Sequence, residues 1–215
     1  MLLQADKLNF KYPDQTEWLI SNVSITANYS EIWGISGDSG SGKTTLLFLL
    51  AGIIPRHKQG QFTGSIRLAN INHQTASLAE IAPHISLVMQ QPDEQIFFPT
   101  VEQELAFAPE NLCLTVTEIE KRISQALELL NIEDLRFAET AKLSFGQQKL
   151  VALAAIHTLQ PEILMLDEIS NGLAEDKLAD VCQLIINYAA AGKIVILADH
   201  HPKLLALAHK TIFLS

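Results

Sequence analysis

The sequence has little cysteine, few basic residues and no long hydrophobic run, and each shortage excludes a class of protein. Its two cysteines, Cys113 and Cys182, stand far apart among 215 residues, so we expect neither a disulfide framework nor a metal cluster, as in reduced cytosolic proteins. Lys and Arg number 15 against 24 Asp and Glu, a net charge of −9, and we therefore predict no nucleic-acid partner. No apolar run reaches the roughly 18 residues of a membrane span, and we expect no secretory signal.

The apolar residues make up 48% of the chain and are grouped in short runs that predict a parallel sheet. Nearly continuous runs are typical of strands buried on both faces, as in a sheet covered by helices. Shorter strand-like segments with turns, before residue 32 and around residues 61–71, predict a separate antiparallel sheet. The five apolar runs are 32–36, 85–89, 163–167, 194–198 and 211–215.

The segment between the second and third of these runs has helical patterns instead. Thr100 and Gln103 have the spacing of a capping box, and we predict a helix that begins there and stops at Pro109. Thr117 and Glu120 have the same spacing at the start of a second, amphipathic helix. The sequence therefore predicts a helical lobe inserted between two strands of the sheet.

These patterns together predict one α/β domain over residues 1–215. It consists of a mainly parallel sheet flanked by helices, an antiparallel β subdomain and an inserted helical subdomain. The predicted boundaries are 1–30 and 60–72 for the antiparallel β subdomain, 31–59, 73–90 and 150–215 for the core, and 91–149 for the helical subdomain.

The segment "GDSGSGKTT" predicts a phosphate-binding loop. It fits G-x-x-x-x-G-K-[ST] and lies between a predicted strand and a predicted helix, which is the context that this motif requires. Small residues let main-chain amides surround a phosphate, and the following helix directs its positive end at the anion. A glycine-rich turn without a ligand is the alternative. The predicted nucleotide-binding residues here are Gly37, Asp38, Ser39, Gly40, Ser41, Gly42, Lys43, Thr44 and Thr45.

Two carboxylates follow the apolar run "ILML" and lie where parallel α/β sheets bind ligands, at the carboxyl ends of their strands. We expect Asp167, with the hydroxyl of Thr44, to hold Mg²⁺, and Glu168 to act as a general base on the attacking water. A solvated strand end is the alternative. The pairing with the phosphate loop favours the functional interpretation.

A third motif, "LSFGQQ" (143–148), completes a resemblance to a known family. Phosphate loop, "LSFGQQ", "ILMLDE" (163–168) and a late histidine resemble, in that order, the nucleotide-binding subunit of ABC transporters over essentially the whole chain. The resemblance implies the P-loop ABC ATPase fold, with ATP and Mg²⁺ as cofactors. It also implies a head-to-tail dimer in which Ser144, Gly146 and Gln147 of one subunit close over the ATP of the other.

The resemblance implies roles for three more residues. Tyr12 matches the aromatic residue that stacks on adenine, Gln90 matches the glutamine that links the metal site to the helical lobe, and His200 matches the histidine at the γ-phosphate. The alternatives are, in the same order, a half-buried strand tyrosine, a polar residue at a strand end, and a structural histidine. The adjacent His201 is the other candidate for the match to the family's histidine. The predicted catalytic residues are Lys43, Gln90, Glu168 and His200, and the predicted metal site consists of Thr44, Gln90 and Asp167.

The segment "QQPDEQIFFPTVEQELAFAPENL" (90–112) resembles the energy-coupling factor (ECF) ATPases of the cobalt-importer type. This implies a subunit at the cytoplasmic face of the membrane, with a second ATPase subunit, a membrane coupling protein and a substrate-binding membrane component. Vitamins or metal ions would be the imported substrates. Ile96, Phe97 and Phe98 either contact a short helix of the membrane partner or fill the core of the helical lobe.

Several residues depart from the family pattern. Phe145 replaces a glycine of the "LSGGQ" motif, where its ring would either crowd the opposite phosphate or pack outward. Ile169 replaces proline, and Ala174 and His201 each replace aspartate. The chain ends at Ser215 without the C-terminal dimerisation segment of many ECF ATPases, and we expect weak dimerisation without nucleotide. The alternatives to an importer ATPase are a degenerate ATP-binding partner subunit and a soluble ABC ATPase acting outside transport.

Overall fold

The computed structural model describes residues 3–69 and 71–214, which form two sheets and eight α-helices. Single turns of 3-10 helix occur at Pro92–Glu94, Glu133–Leu135 and Thr140–Lys142. The strands are β1 (Leu3–Lys11), β2 (Ile20–Ala27), β3 (Ile32–Gly37), β4 (Gln61–Leu68), β5 (Ile71–Asn72), β6 (Ile85–Val88), β7 (Ile163–Asp167), β8 (Ile194–Ala198) and β9 (Lys210–Leu214). The helices are α1 (Lys43–Leu50), α2 (Ile53–Arg56), α3 (Leu78–Ile81), α4 (Val101–Asn111), α5 (Val116–Leu129), α6 (Phe145–Leu159), α7 (Glu175–Ala190) and α8 (Pro202–Leu205).

The larger sheet has five strands in the order β6-β7-β8-β3-β9, and every neighbouring pair is parallel. All residues of β7 and β8 are buried, as expected for strands covered on both faces. The prediction of a parallel sheet from five apolar runs is therefore confirmed, although Ser215 lies outside the described residues. In such a sheet the ends of β3 and β7, which carry the phosphate loop and Asp167, lie at the same edge.

The smaller sheet has the order β2-β1-β4-β5 and is antiparallel throughout, which confirms the predicted second sheet. One face of β1 contributes Leu8 and Phe10 to a core cluster that also contains Leu46, Leu47 and Leu50 of α1. The antiparallel sheet therefore packs against the helix that follows the phosphate loop and helps to fix the direction of that helix.

The helical subdomain differs from its prediction at Pro109. The structure continues α4 through Pro109 to Asn111, whereas the sequence predicted a stop at the proline. Proline removes the N–H that would bond to the carbonyl four residues earlier, that of Leu105. The hydroxyl of Thr158, in α6, lies 3.0 Å from the Leu105 oxygen and can donate to it, while also lying 2.7 Å from the Ala155 oxygen. The side chain of another helix thus offers the Leu105 carbonyl a donor, which the Ala155 carbonyl shares.

The start of α5 also differs from its prediction. The residue that caps the helix is Thr115, whose hydroxyl accepts a hydrogen bond from the Glu118 amide. Thr117 and Glu120, predicted as the capping pair, lie inside the first turns of the helix. Both threonines are followed by glutamate three residues later, so the sequence pattern alone did not distinguish them. The other predicted cap, Thr100, does accept from the Gln103 amide.

Buried histidines make the stability of this fold sensitive to acid. His73 is 2% exposed and contacts the Leu50 carbonyl oxygen through Nε2 at 2.9 Å. Burial, reinforced by the charge of Arg56, lowers the pKa of His73 to about 4, and burial likewise lowers the pKa of His157 to about 4. The unfolded chain therefore binds protons between about pH 6.5 and pH 4 that the folded chain does not.

We expect the free energy of unfolding to fall as the pH drops from about 6.5 to about 4, measured by urea denaturation at several pH values. His73→Gln should reduce this pH dependence without abolishing it, because His157 continues to contribute. His57→Gln, at an exposed position, is the matched control and should leave it unchanged. Equal pH dependence in the wild type and His73→Gln would contradict the prediction.

No helix in the described ranges combines the length and the apolar character needed to cross a lipid bilayer.

Candidate active site

The phosphate loop (37–44) joins β3 to α1 and leaves the N-terminus of that helix open. Gly42 precedes the helix with φ 94°, a left-handed conformation that favours glycine. Within the described residues no side chain caps the helix, and its first turn contains no acidic residue. The amides of a helix's first turn have no intrahelical partner, so an uncapped N-terminus can receive an anion.

The loop already holds a positive charge. The Lys43 ammonium donates hydrogen bonds to the carbonyl oxygens of Gly37 at 2.8 Å and Asp38 at 2.9 Å, and the side chain is largely buried. The buried hydroxyl of Ser41 has no hydrogen-bond partner within residues 3–69 and 71–214. A fixed ammonium and an unpaired hydroxyl in one loop suit a phosphate group. Of the other predicted loop residues, Asp38, Ser39 and Gly40 are exposed, Thr44 is half-buried and Thr45 is buried.

Asp167 ends β7 as a buried carboxylate with the Thr44 hydroxyl beside it. The residue is 1% exposed, and neither side-chain oxygen has a hydrogen-bond partner in the described part of the chain. Burial raises its pKa and the charge of Glu168 adds to this, while the nearby Thr44 hydroxyl and the charges of Lys149 and Lys43 oppose the rise. Its pKa stays raised despite these neighbours, so the ionised carboxylate is still costly, and a bound cation would lower that cost. Asp167 and the adjacent Thr44 therefore fit Mg²⁺.

The described residues contain no group of three or more His, Cys, Asp or Glu side chains that could hold a metal by themselves. This agrees with the usual magnesium site of nucleotide-binding proteins. Such a site takes one or two protein oxygens and completes its coordination with phosphate oxygens and water. The donors present thus suit a metal that arrives with a nucleotide.

Glu168 and Gln90 meet although 78 residues separate them. The Gln90 amide nitrogen Nε2 donates to Glu168 Oε2 at 2.6 Å. The main chain of Glu168 has φ 46°, the left-handed region that non-glycine residues seldom occupy. Its N–H donates to the Ala198 carbonyl at 2.7 Å. The structure thus places the predicted base and the predicted link to the helical subdomain in direct contact.

The two late histidines have different environments. The His201 ring accepts a hydrogen bond through Nδ1 from the Lys203 amide and caps α8. The His200 side chain is 70% exposed. Its main-chain N–H donates to Asp199 Oδ1 at 2.8 Å. The His200 imidazole is thus largely exposed, with Nδ1 4.0 Å from Asp199 Oδ1, and its role at the γ-phosphate stays a prediction.

Tyr12 lies beside α1. Its hydroxyl is 3.1 Å from Thr45 Oγ1, and its ring meets Phe10 edge-on with the ring centroids 4.9 Å apart. The residue is half-buried. Both the strand-tyrosine interpretation and the stacking interpretation agree with this position, and a role toward adenine stays a prediction.

The signature loop (143–148) begins α6 with a reciprocal cap. Ser144 Oγ accepts from the Gln147 amide at 3.3 Å, and Gln147 Oε1 accepts from the Ser144 amide at 2.9 Å. The Phe145 ring packs against Gly172, where a Cβ atom would lie only 2.7 Å from the ring, and lies over the Lys149 ammonium. The ring therefore packs against its own chain and stays 39% exposed, and its effect on the opposite phosphate stays a prediction.

Two buried charged residues of the site were not found from the sequence. Asp199 is 1% exposed, and its carboxylate accepts from the amides of Ser170, His200 and His201 and from the Ser170 hydroxyl. Lys149 is fully buried and donates to the carbonyl of Glu168. The position of Asp199 directly after an apolar strand, like that of Asp167, was a signal that could have identified it.

Comparison with known proteins identifies the family of this site. Residues 20–171 match the family model described as ABC transporter. The chain belongs to the ABC transporter family. This agrees with the resemblance found from the sequence motifs, and with the two-sheet P-loop fold of the structure.

Individual members of the ABC transporter family resemble the chain over different lengths. The energy-coupling factor transporter ATP-binding protein EcfA of Methanocaldococcus jannaschii is 34% identical over 93% of this chain and 70% of its own length. A longer ABC transporter relative from Methanosarcina acetivorans is 38% identical over 78% of this chain. The chain matches only 26% of that relative's length. The solved structure of CbiO1 from Clostridium perfringens, part of the transporter complex CbiONQ, has a TM-score of 0.84, 28% identity, and coverage of 100% of this chain and 84% of its own.

Proposed function

We propose that this chain is the ATP-binding and ATP-hydrolysing subunit of an ECF-type importer. The observation that carries the proposal is the buried, unpaired carboxylate of Asp167 beside Thr44 and near the ammonium of Lys43. A protein retains such a costly group where a ligand completes its environment. Mg-ATP supplies both the missing cation and the phosphates that the loop suits.

The residues of the site have distinct tasks in this proposal. The Lys43 ammonium exchanges the carbonyl oxygens of Gly37 and Asp38 for oxygens of the β- and γ-phosphates. Thr44, Asp167 and the amide oxygen of Gln90 would hold Mg²⁺, which would neutralise charge that develops on the phosphates. Glu168 accepts a proton from the attacking water, while Gln90 fixes one oxygen of its carboxylate. His200 contacts the γ-phosphate with its exposed imidazole, and Tyr12 stacks on adenine.

A second ATPase subunit completes each site in this proposal. The Ser144 hydroxyl and the Gly146 amide contact the γ-phosphate of ATP held by the other subunit, and Gln147, whose amide donates to Ser144 Oγ, lies beside them. These groups lie at the N-terminus of α6, where the helix dipole favours an anion. The Phe145 ring packs against Gly172 and Lys149, so it need not occupy the phosphate position. This weakens the alternative of a degenerate ATP-binding partner, which was motivated by Phe145 and Ala174.

The membrane partner binds the helical subdomain in this proposal. Phe97 is 76% exposed, whereas Ile96 packs against the core and Phe98 packs against Phe107. Glu104 accepts hydrogen bonds from the amides of Phe97 and Phe98, each at 2.9 Å, and so holds the loop that presents the exposed ring. The ring lies at a groove of about 140 Å³, whose mainly apolar lining suits an apolar side chain of a short helix.

The chain would then sit at the cytoplasmic face of the membrane as a peripheral subunit. Its membrane partners would be a coupling protein and a substrate-binding component that selects the vitamin or metal ion. The proteins named EcfA and CbiO1 support this assignment through their similarity to the chain over most of its length.

A charge at Phe97 tests the proposed assembly. We expect Phe97→Asp to reduce recovery of membrane proteins with the tagged chain, from native membranes, by at least about tenfold. Such a loss corresponds to about 1.4 kcal/mol, within the range for an exposed aromatic anchor. Nucleotide affinity should stay within about twofold of wild type, because Phe97 lies outside the phosphate loop.

Tyr29→Asp, at another exposed aromatic residue outside the helical subdomain, is the matched control and should keep the membrane partners. Equal loss of membrane proteins in both variants would contradict the proposal that the membrane partner binds at this groove. Loss of nucleotide binding together with the membrane proteins in Phe97→Asp would contradict it as well. Recovery of no integral membrane protein by the wild type would instead favour an ABC ATPase that acts outside transport.

A further inference from the structure

Lys149 is a buried cation beside the proposed catalytic base. It lies in α6, is fully buried, and donates a hydrogen bond to the main-chain carbonyl of Glu168. Burial lowers its pKa, while the carboxylates of Asp199, Glu168 and Asp167 favour its charged form. Asp167 and Asp199 are each 1% exposed. The charge of Lys149 offsets part of the cost of these buried carboxylates, although within the described residues its hydrogen bond goes to the Glu168 carbonyl and not to a carboxylate.

The bond to Lys149 restrains an unfavourable backbone conformation. A non-glycine residue in the left-handed region costs on the order of 1–2 kcal/mol and persists only where its surroundings hold it. At Glu168 the N–H is fixed by the Ala198 carbonyl, and the carbonyl is fixed by Lys149 and, more weakly, by the Asn171 amide at 3.3 Å. These restraints set the direction in which the Glu168 side chain leaves the backbone.

Phe145 covers the same ammonium from the signature loop. Its ring centroid lies 5.2 Å from Lys149 Nζ, within the range of a cation–π contact. The ring also fills the space above Gly172, whose φ of 81° and lack of a side chain permit the contact. The signature loop and the loop after Glu168 therefore share Lys149 as a common neighbour.

We propose that Lys149, covered by Phe145, is a positioning residue that holds the backbone of Glu168 and thereby aims its carboxylate at the attacking water. The inference rests on the proposed ATPase function. The hydrogen bond that Lys149 donates goes to the main chain of Glu168 and not to the phosphate loop. Its removal therefore affects turnover far more than nucleotide affinity.

The test compares wild type with Lys149→Met, which keeps a similar buried volume and removes the charge and the donor. We expect kcat for ATP to fall about 10- to 100-fold, as for a misplaced catalytic group, with the affinity for a fluorescent ATP analogue within about twofold of wild type. Hydrogen exchange of the nucleotide-free protein should be several-fold faster over residues 169–174 and unchanged in α5. Phe145→Ala should give a smaller loss, about three- to tenfold, and provides the same measurements if Lys149→Met does not fold.

Wild-type kcat and wild-type exchange in these variants would overturn the inference. So would a parallel loss of melting temperature, nucleotide affinity and turnover, because that pattern indicates a purely structural lysine. If the wild type binds Mg-ATP without hydrolysing it, the proposed hydrolysis fails. In that case the hydrogen exchange of residues 169–174, compared between the wild type and Lys149→Met, is the measurement that shows whether Lys149 holds this segment.

Discussion

Glu168→Gln is expected to reduce the turnover of ATP by about 100- to 10,000-fold, the range for removal of a general base. Glutamine keeps the size of the side chain and an oxygen that can still accept from Gln90 Nε2, the contact made by Glu168. It cannot take a proton from water at neutral pH. The affinity for Mg-ATP should therefore stay close to wild type, measured by titration with a fluorescent nucleotide, while steady-state phosphate release is nearly lost.

Glu110→Gln is the matched control, since Glu110 is an exposed residue of the helical subdomain, and it should turn over ATP as the wild type does. Undiminished turnover in Glu168→Gln would reject the assignment of the base. A wild type that binds Mg-ATP and releases no phosphate, even with its membrane partners, would favour the degenerate-partner alternative. Turnover and Mg-ATP affinity, measured in Glu168→Gln and in its control Glu110→Gln, thus separate loss of hydrolysis from loss of nucleotide binding.

Asp167→Asn is expected to abolish the stabilisation of the protein by Mg-ATP. At about 100-fold excess over its dissociation constant a ligand adds about 2.7 kcal/mol, which raises the melting temperature of a chain of this size by roughly 5–10 °C. The wild type should show this shift with Mg²⁺ and ATP and lose most of it with EDTA. The variant should show little shift in either condition, because the amide cannot balance the charge of the cation.

The same substitution should not lower the melting temperature of the nucleotide-free protein. The pKa of Asp167 is raised by burial, so near neutral pH its ionised form costs folding free energy. This cost decreases as the pH falls through the folded pKa and is gone below the pKa of the unfolded chain. Asparagine removes that buried charge. Asp134→Asn, at an exposed position, is the control. A full Mg-ATP shift in Asp167→Asn would exclude this carboxylate from the metal site.

The phosphate loop, the Asp167–Glu168 pair and the five buried strands could be predicted because each is a local signal. The identity and order of a few adjacent residues set the loop, and a short apolar run sets each strand. The helix boundaries at Pro109 and Thr115 depended on tertiary contacts and on a choice between equivalent threonines, so the pattern misplaced both. The environment of Lys149 could not be predicted, since its partner Glu168 lies 19 residues away and no spacing rule connects them.

The family resemblance assigned roles to single residues, and the structure adds how their neighbours constrain them. Gln90 and Glu168 matched separate motifs, but their hydrogen bond is a property of the folded chain. Phe145 was visible as a departure from the motif, yet the direction of its ring depended on the space above Gly172. Substitutions within a motif thus need the surrounding packing before their effect can be inferred.

The Thr158 contact near Pro109 has a mechanical consequence for the helical subdomain. Thr158 reaches Leu105 of α4, and the Thr158 carbonyl accepts a hydrogen bond from Arg122 of α5 at 3.0 Å. Three helices are therefore pinned to one another near the end of α6. The helix α6 has 15 residues and is about 22 Å long. When α6 rotates as a rigid body, a tilt at its pinned end also displaces Ser144 at the opposite end.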